Sequence, residues 1–324
     1  MTEDHKKKVE NSYMKDMKKT YHETSLSGDK QKKIMKRSKW GARLATAFHA
    51  IGIVVILTFV TTMLTFFYYH SQSPIPIKQG EKLERLIDYT YMITDPYGFL
   101  GTTSLDEGRY FTLNATRNHV RMVGNREEKV GETEIRFLFS FMWGPKEREF
   151  VNRDTFAFSN KDHGSKSSAW DQLERLPEGT VATAYLSLSE KQSTEKVIDL
   201  LGDKDLRLLW LPLDLKDKKY KSQQIGFPTF ISQNTKHEEG VDVAKYSQEH
   251  FLEAIDYLKK HERKVNQLTE FDLDLGQIEQ EVHDEGFYHR GAVVTGPSKE
   301  LLSLKEEGWV EGLVIDGIDF WNWE

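Results

Sequence analysis

Residues 50–69 read AIGIVVILTFVTTMLTFFYY, twenty consecutive residues without a charge. A helix rises about 1.5 Å per residue, so this run crosses the roughly 30 Å hydrocarbon core of a bilayer. It is read as a membrane-spanning helix, counted from Leu44, where the charges stop, to Tyr69. The competing reading is a cleaved signal peptide. Against it stand the 43 mostly polar residues ahead of Leu44, a run longer than an ordinary h-region, and the poor cleavage site Ser71-Gln72-Ser73.

Charge is divided unevenly about this span. The whole chain of 324 residues carries a net −6, yet residues 1–43 alone carry 13 Lys plus Arg against 6 Asp plus Glu. A basic head therefore precedes an acidic body. Just before Leu44 lie Lys30, Lys32, Lys33, Lys36, Arg37, Lys39 and Arg43, whereas His70 to Thr90 holds only Lys78, Lys82 and Arg85. Positive charge stays on the cytoplasmic side, so the expected orientation is amino terminus in the cytoplasm and carboxyl terminus outside. Trp40 and the group from Phe66 to Tyr69 suit the two interfaces, and His49 near the cytoplasmic end is read as an interfacial residue rather than a proton relay.

Residues 1–43 are too short and polar to bury a core. Val9, Tyr13, Met17 and Tyr21 recur every four residues with Met14 beside them, which on a helix from about Lys6 to His22 makes an apolar stripe among lysines. These five residues are the candidate partner-binding site. The stripe suits either the groove of a partner protein or the anionic inner leaflet, and direct nucleic-acid binding is not expected because topology already explains the lysines. Ser25 to Asp29 breaks the pattern, and a second basic helix is expected to start near Asp29 or Lys30 and run into the membrane.

The expected organisation is head 1–43, span 44–69, linker 70–80, a strand-rich region 81–179 and an α/β region 180–324. The fold class is α+β: one transmembrane helix, a helical cytoplasmic head and a mixed extracytoplasmic body. Aromatic and β-branched runs at Ile87–Ile93, Arg109–Ala115 and Glu134–Trp143 are read as antiparallel strands, with turn residues such as Pro96, Gly98, Gly101, Asn114, Gly124 and Gly131 punctuating them. Lys161 to Glu178 is read as an irregular or partly helical connection. From Thr180 the texture becomes strand, helix, strand: TVATAYLSLS, a helix capped by Ser189 with Gln192 and stopped by Gly202, then LRLLWLPLDL. HRGAVVTG, a helix with Gly296 and Pro297 as N-cap and first residue, and WVEGLVIDGIDFW form a second such unit and a weak internal repeat. Ala244 to Leu268 between them is read as one amphipathic core helix.

Catalytic motifs are scarce. The sequence contains no cysteine, which excludes disulfides, thiol nucleophiles and cysteine-ligated metals, and it lacks G-x-S-x-G, H-E-x-x-H, P-loop and G-x-G-x-x-G patterns. The group Asp272, Asp274, Glu279, Glu281, His283, Asp284, Glu285 and His289 has the right atoms for a cation but not the spacing of an EF-hand or a zinc site, so it is read as a solvated acidic face. Thr295 to Lys299 is read as a helix cap rather than a phosphate site. Trp309, Trp321 and Trp323 are candidates for stacking on a wall sugar, with a core role as the plainer reading. No cofactor, metal or catalytic residue is expected.

The segments Lys30–Ile56, KQKKIMKRSKWGARLATAFHAIGIVVI, and Ala292–Trp323, with VVTGPSKELL and the final Trp321-Asn322-Trp323, resemble the sigma factor regulator family of Gram-positive bacteria. These are membrane anti-sigma factors. The resemblance implies a non-enzymatic protein whose cytoplasmic segment holds an extracytoplasmic-function sigma factor away from RNA polymerase, with an outer domain that senses or anchors at the envelope and a second membrane regulator as a further candidate partner. The zinc-binding anti-sigma subclass needs a histidine and two cysteines, so release through zinc or thiol redox is excluded. The alternative is a membrane-anchored envelope protein that binds a wall polymer or a partner protein.

Overall fold

The computed structural model describes residues 3–24, 28–70, 78–151, 166–217, 220, 224–229 and 242–320. It forms two compact units, Met1–Thr61 and Thr62–Glu324.

The first unit is helical. Helix α1 covers Glu3–Thr24, wider than the expected 6–22, and α2 covers Gly28–Tyr69, starting one residue before the expected Asp29 and continuing into the second unit. Three of its polar side chains are satisfied within the helix: Thr46 and Thr61 donate to the carbonyls of Ala42 and Leu57, and His49 Nδ1 lies 2.7 Å from Ala45 O. Such back-bonding removes the cost of a bare hydroxyl in hydrocarbon.

After the end of α2 the second unit continues with a helix where the sequence suggested a strand. Helix α3, Gln79–Thr94, contains Ile87–Ile93 and absorbs the last two residues of the expected linker, whose residues 71–77 lie outside the described ones. Ile87–Ile93 alone is too short to fix a period. Over the whole helix Leu83, Leu86, Ile87, Thr90 and Tyr91 are buried at helical spacing, and Asp95-Pro96 ends it.

A four-stranded antiparallel meander follows: β1 (Thr103–Glu107), β2 (Thr112–Val123), β3 (Arg126–Leu138) and β4 (Phe141–Glu149). Two expected strands are corrected here. Arg109–Phe111 is a turn rather than strand, and Glu134–Trp143 is a hairpin, with Leu138 paired to Phe141 across Phe139-Ser140. The β3–β4 turn carries neither the glycine nor the asparagine that marks a reversal, and in the β1–β2 turn the one glycine, Gly108, precedes the positive-φ positions Tyr110 and Phe111.

Helix α4, Lys166–Glu174, supplies the helical part of the connection to the second sheet. That sheet takes the order β7-β6-β8-β5-β9, from β5 (Thr180–Ser193), β6 (Arg207–Pro212), β7 (Gly226–Pro228), β8 (Tyr288–Pro297) and β9 (Val310–Phe320). Both strand–helix–strand units lie in it, interleaved. Antiparallel β8 separates β5 from β6, and antiparallel β5 separates β8 from β9. This is the pattern of split β-α-β units.

Helix α5, Thr194–Gly202, is capped by Ser193, whose hydroxyl accepts from Lys196 N; the expected cap Ser189 is still in β5 and donates to Gly308 O. Likewise α9, Ser298–Ser303, has Pro297 as N-cap, one residue later than expected. The single helix expected over 244–268 divides into α6, Val243–Lys259, and α7, Glu262–Thr269. The break at Lys260-His261 lets Val265 and Leu268 join Phe251, Ile255 and Leu258 in the core. Helix α8, Leu275–Glu285, then leads into β8.

One buried cluster runs from Leu83 and Ile87 of α3 through Phe137 to Leu186, Val294 and Leu313. The change of texture near Thr180 is therefore a change of layer over a shared core. Trp210, fully buried in β6, donates its indole N–H to Met92 O at 3.1 Å and ties α3 to the second sheet. At Gly124, φ is +61° and an added Cβ would stand 2.9 Å from Val181; its N–H donates to Thr295 Oγ1 at 2.7 Å, joining the β2–β3 turn to β8.

Candidate functional site

The predicted partner site lies on α1. Val9, Tyr13, Met14 and Met17 are all more than half exposed, Tyr13 at 73%, and Lys6, Lys7, Lys8, Lys15, Lys18 and Lys19 around them are exposed too. Tyr21 continues the helix, with its side chain outside the described residues. An apolar side chain left in water forgoes about 1.5–3 kcal/mol of burial. Together these side chains leave an uncovered apolar face on α1.

The acidic group is dispersed over ordinary structural tasks. Asp274 caps α8 by accepting from Gln277 N, Glu279 and Glu285 pair with Lys259 and Lys216, and Glu281 accepts from Lys216 N at 2.6 Å. Among the described residues no cluster of three or more His, Asp or Glu is placed to hold a metal ion. His289 is fully buried: Nδ1 lies 2.8 Å from Pro212 O, and Nε2 lies 2.8 Å from Thr194 Oγ1. Because a carbonyl only accepts, Nδ1 bears the hydrogen and Nε2 accepts from the threonine. Burial lowers this imidazole to about 4, so it is neutral.

Thr295 and Lys299 are likewise structural, the first donating to Ala182 O at 3.0 Å and the second pairing with Glu178. Trp309 is half-buried against the core, while Trp321 and Trp323 lie outside the described residues.

One constellation escaped the sequence. His119 Nδ1 lies 2.6 Å from Asp95 Oδ2, and Nε2 lies 2.7 Å from Thr133 Oγ1. Acid, imidazole and hydroxyl stand in the order of a hydrolytic triad. The imidazole and the hydroxyl are buried, however, and the ring of Tyr91 stands edge-on at 5.0 Å. No carbonyl can approach Thr133, so the network is a brace joining the end of α3 to β2 and β3. Arg117 completes it: burial lowers its pKa, Asp88 opposes that at 2.6 Å, and Gly98 O accepts from it. These residues come from separate elements and share no local motif.

The second feature missed lies where the last turns of α2 meet the body. Phe111 N donates to Thr65 Oγ1 at 2.8 Å, and the Tyr69 hydroxyl donates to the carbonyls of Phe111 at 2.7 Å and Phe139 at 3.0 Å. Gly80 packs so closely that an added Cβ would stand 2.5 Å from Tyr69 O. The signal in the sequence was the aromatic density of 109–115 and 134–143, which favoured strand over turn.

Two family models match the chain. Residues 32–128 match the sigma factor regulator N-terminal module, and residues 173–317 match the sigma factor regulator C-terminal module. The N-terminal match thus runs from the basic tract through the span, α3 and β2 into β3, and it begins after the stripe on α1. The chain is also 24% identical over 320 residues to the probable anti-sigma-M factor YhdL of Bacillus subtilis (strain 168), covering 92% of this chain and 86% of that protein. No solved structure is detectably similar. Both modules occur in the expected order, the first of them over the long apolar helix, and the chain belongs to the sigma factor regulator family.

Proposed function

We propose that the protein is a single-pass anti-sigma factor, with its amino terminus in the cytoplasm, that sequesters an extracytoplasmic-function sigma factor through its head. The family supports a regulatory rather than catalytic role with a sigma factor as partner. The observation that carries the finer reading is the uncovered face of α1: Val9, Tyr13, Met14 and Met17, continued by Tyr21, supply i and i+4 anchors for a groove. The surrounding lysines steer an acidic partner surface toward it. The seven cations ahead of Leu44 support the inward orientation of the head, and the body then stands at the envelope side as sensor or anchor.

The test is a crosslinked pull-down from native membranes with three forms: full length, a form lacking residues 1–28, and Tyr13→Ala with Met17→Ala. A sigma factor retained by the first and lost by the other two supports the reading. Equal retention by all three assigns docking to the basic tract after residue 28. Wall or envelope proteins in every sample, with no sigma factor, favour the envelope-binding alternative.

A further inference from the structure

Two turns of the meander clasp the end of the span. The β1–β2 turn meets it through Phe111, as above, and the β3–β4 turn through Phe139 and Ser140. Ser140 Oγ is 3.3 Å from the Tyr68 hydroxyl and accepts from Gln79 Nε2 at 3.0 Å. Phe111 and Phe139 stack at 4.4 Å, and Tyr68 stands edge-on to both.

The level of this clasp follows from the charge-free run. Residues 44–69 number 26, about 39 Å of helix against roughly 30 Å of hydrocarbon. Centred on the bilayer, the hydrocarbon takes residues 47–66. Thr65 then lies at the edge of the hydrocarbon and Tyr69 among the headgroups, and the two turns hydrogen-bonded to them share that level.

What the turns present outward suits that level. Tyr110, Phe139, Phe141 and Trp143 are exposed, Phe141 at 77%, as are Arg109 and also Arg136, which pairs with Trp143 across the hairpin. Aromatic rings favour the membrane–water interface, and guanidinium groups favour lipid phosphates.

Backbone strain points the same way. Among the described residues five non-glycine positions have positive φ, and three are aromatics of these turns: Tyr110 at 55°, Phe111 at 61° and Phe139 at 54°. Each costs on the order of 1 kcal/mol or more, which glycine would avoid. A turn that had only to reverse the chain would not keep bulky rings there.

We propose that residues 109–111 and 139–143 form an aromatic collar that inserts into the headgroup zone of the leaflet on the body's side, a second lipid-binding surface beside the span. The occupant is lipid because the collar is continuous with a helix whose own surface is already in lipid. The inference does not depend on the sigma factor or on the orientation of the chain.

The absence of natural cysteine makes the test direct. Phe141→Cys and Trp143→Cys are each spin-labelled in the full-length protein, reconstituted in bilayers of phosphatidylcholine and phosphatidylglycerol. Phe150→Cys, exposed just beyond the other end of β4, serves as the aqueous control. Oxygen concentrates in lipid, whereas a nickel chelate stays in water. The expected result is an oxygen-to-nickel accessibility ratio several-fold higher at 141 and 143 than at 150. Ratios equal to the control would overturn the collar. Exclusion of both relaxants at 141 and 143 would also overturn it, because a protein then covers the surface. Both sites are outward on β4, so a label that disturbed one would not reproduce the result at the other.

Discussion

His289 makes the stability of the body depend on pH in a way that can be calculated. Its imidazole, ordinarily near 6.5, sits at about 4 in the fold. Between these values the unfolded chain binds a proton that the folded chain refuses. The contribution of His289 is therefore complete above about pH 6.5, falls as pH drops toward 4, and is level below that. At about 1.4 kcal/mol per pH unit the full difference is about 3 kcal/mol, of which about 2 kcal/mol is already lost at pH 5.

The perturbation is His289→Gln, which removes the titration while keeping a polar group beside Thr194 and Pro212. Urea unfolding of the full-length protein in nanodiscs, followed by tryptophan emission with Trp210 as the buried reporter, is measured at pH 7.5 and 5.0. At pH 7.5 the variant is less stable than the parent. At pH 5.0 the gap narrows by about 2 kcal/mol, and taking the difference between variant and parent cancels every other titrating group. A gap that is the same at both pH values would show that His289 does not resist protonation, and the argument from its burial would fail.

Three further outcomes follow from the geometry. Gly80→Ala pushes a Cβ onto the Tyr69 carbonyl and should lower the unfolding free energy by about 1–3 kcal/mol, while Gly202→Ala, where a Cβ meets nothing within 4 Å, should not; equal midpoints in urea would refute the close approach. Asp88→Ala leaves the buried Arg117 guanidinium without its carboxylate and should cost about 3 kcal/mol, with Asp88→Asn, which keeps an acceptor, costing less. In the head, Tyr13→Ala with Met17→Ala should weaken sigma-factor binding at least a hundredfold, about 3 kcal/mol, by titration of the full-length protein; unchanged affinity would remove these residues from the site.

Chemistry that lies along the chain was legible before the fold was known. A charge-free run longer than a bilayer needs only helical rise to interpret, and α2 ends at Tyr69 where the apolar run ends. The strand–helix–strand units after Thr180 were readable because buried strands are continuous apolar runs, as in Leu208 to Leu211, and Gly202 and Gly308 punctuate them. The family resemblance, carried by two segments, also held, although the N-terminal match extends well past the span to residue 128. The α1 stripe was legible as a pattern because helical spacing alone defines it, and its described side chains lie exposed on α1.

Tertiary structure decided what depends on partners distant in sequence. Ile87–Ile93 has the composition of a strand and is helix because its neighbours from Leu83 onward complete a face that one core covers. Tyr110, Phe111 and Phe139 occupy turn conformations that no local preference selects; hydrogen bonds to Thr65 and Tyr69, more than forty residues away, hold two of them there. The brace of Asp95, His119 and Thr133 exists only because a helix end and two strands converge. Local sequence fixes periodicity and charge; burial and long-range hydrogen bonding, which outweigh propensities of a few tenths of a kcal/mol per residue, fix the rest.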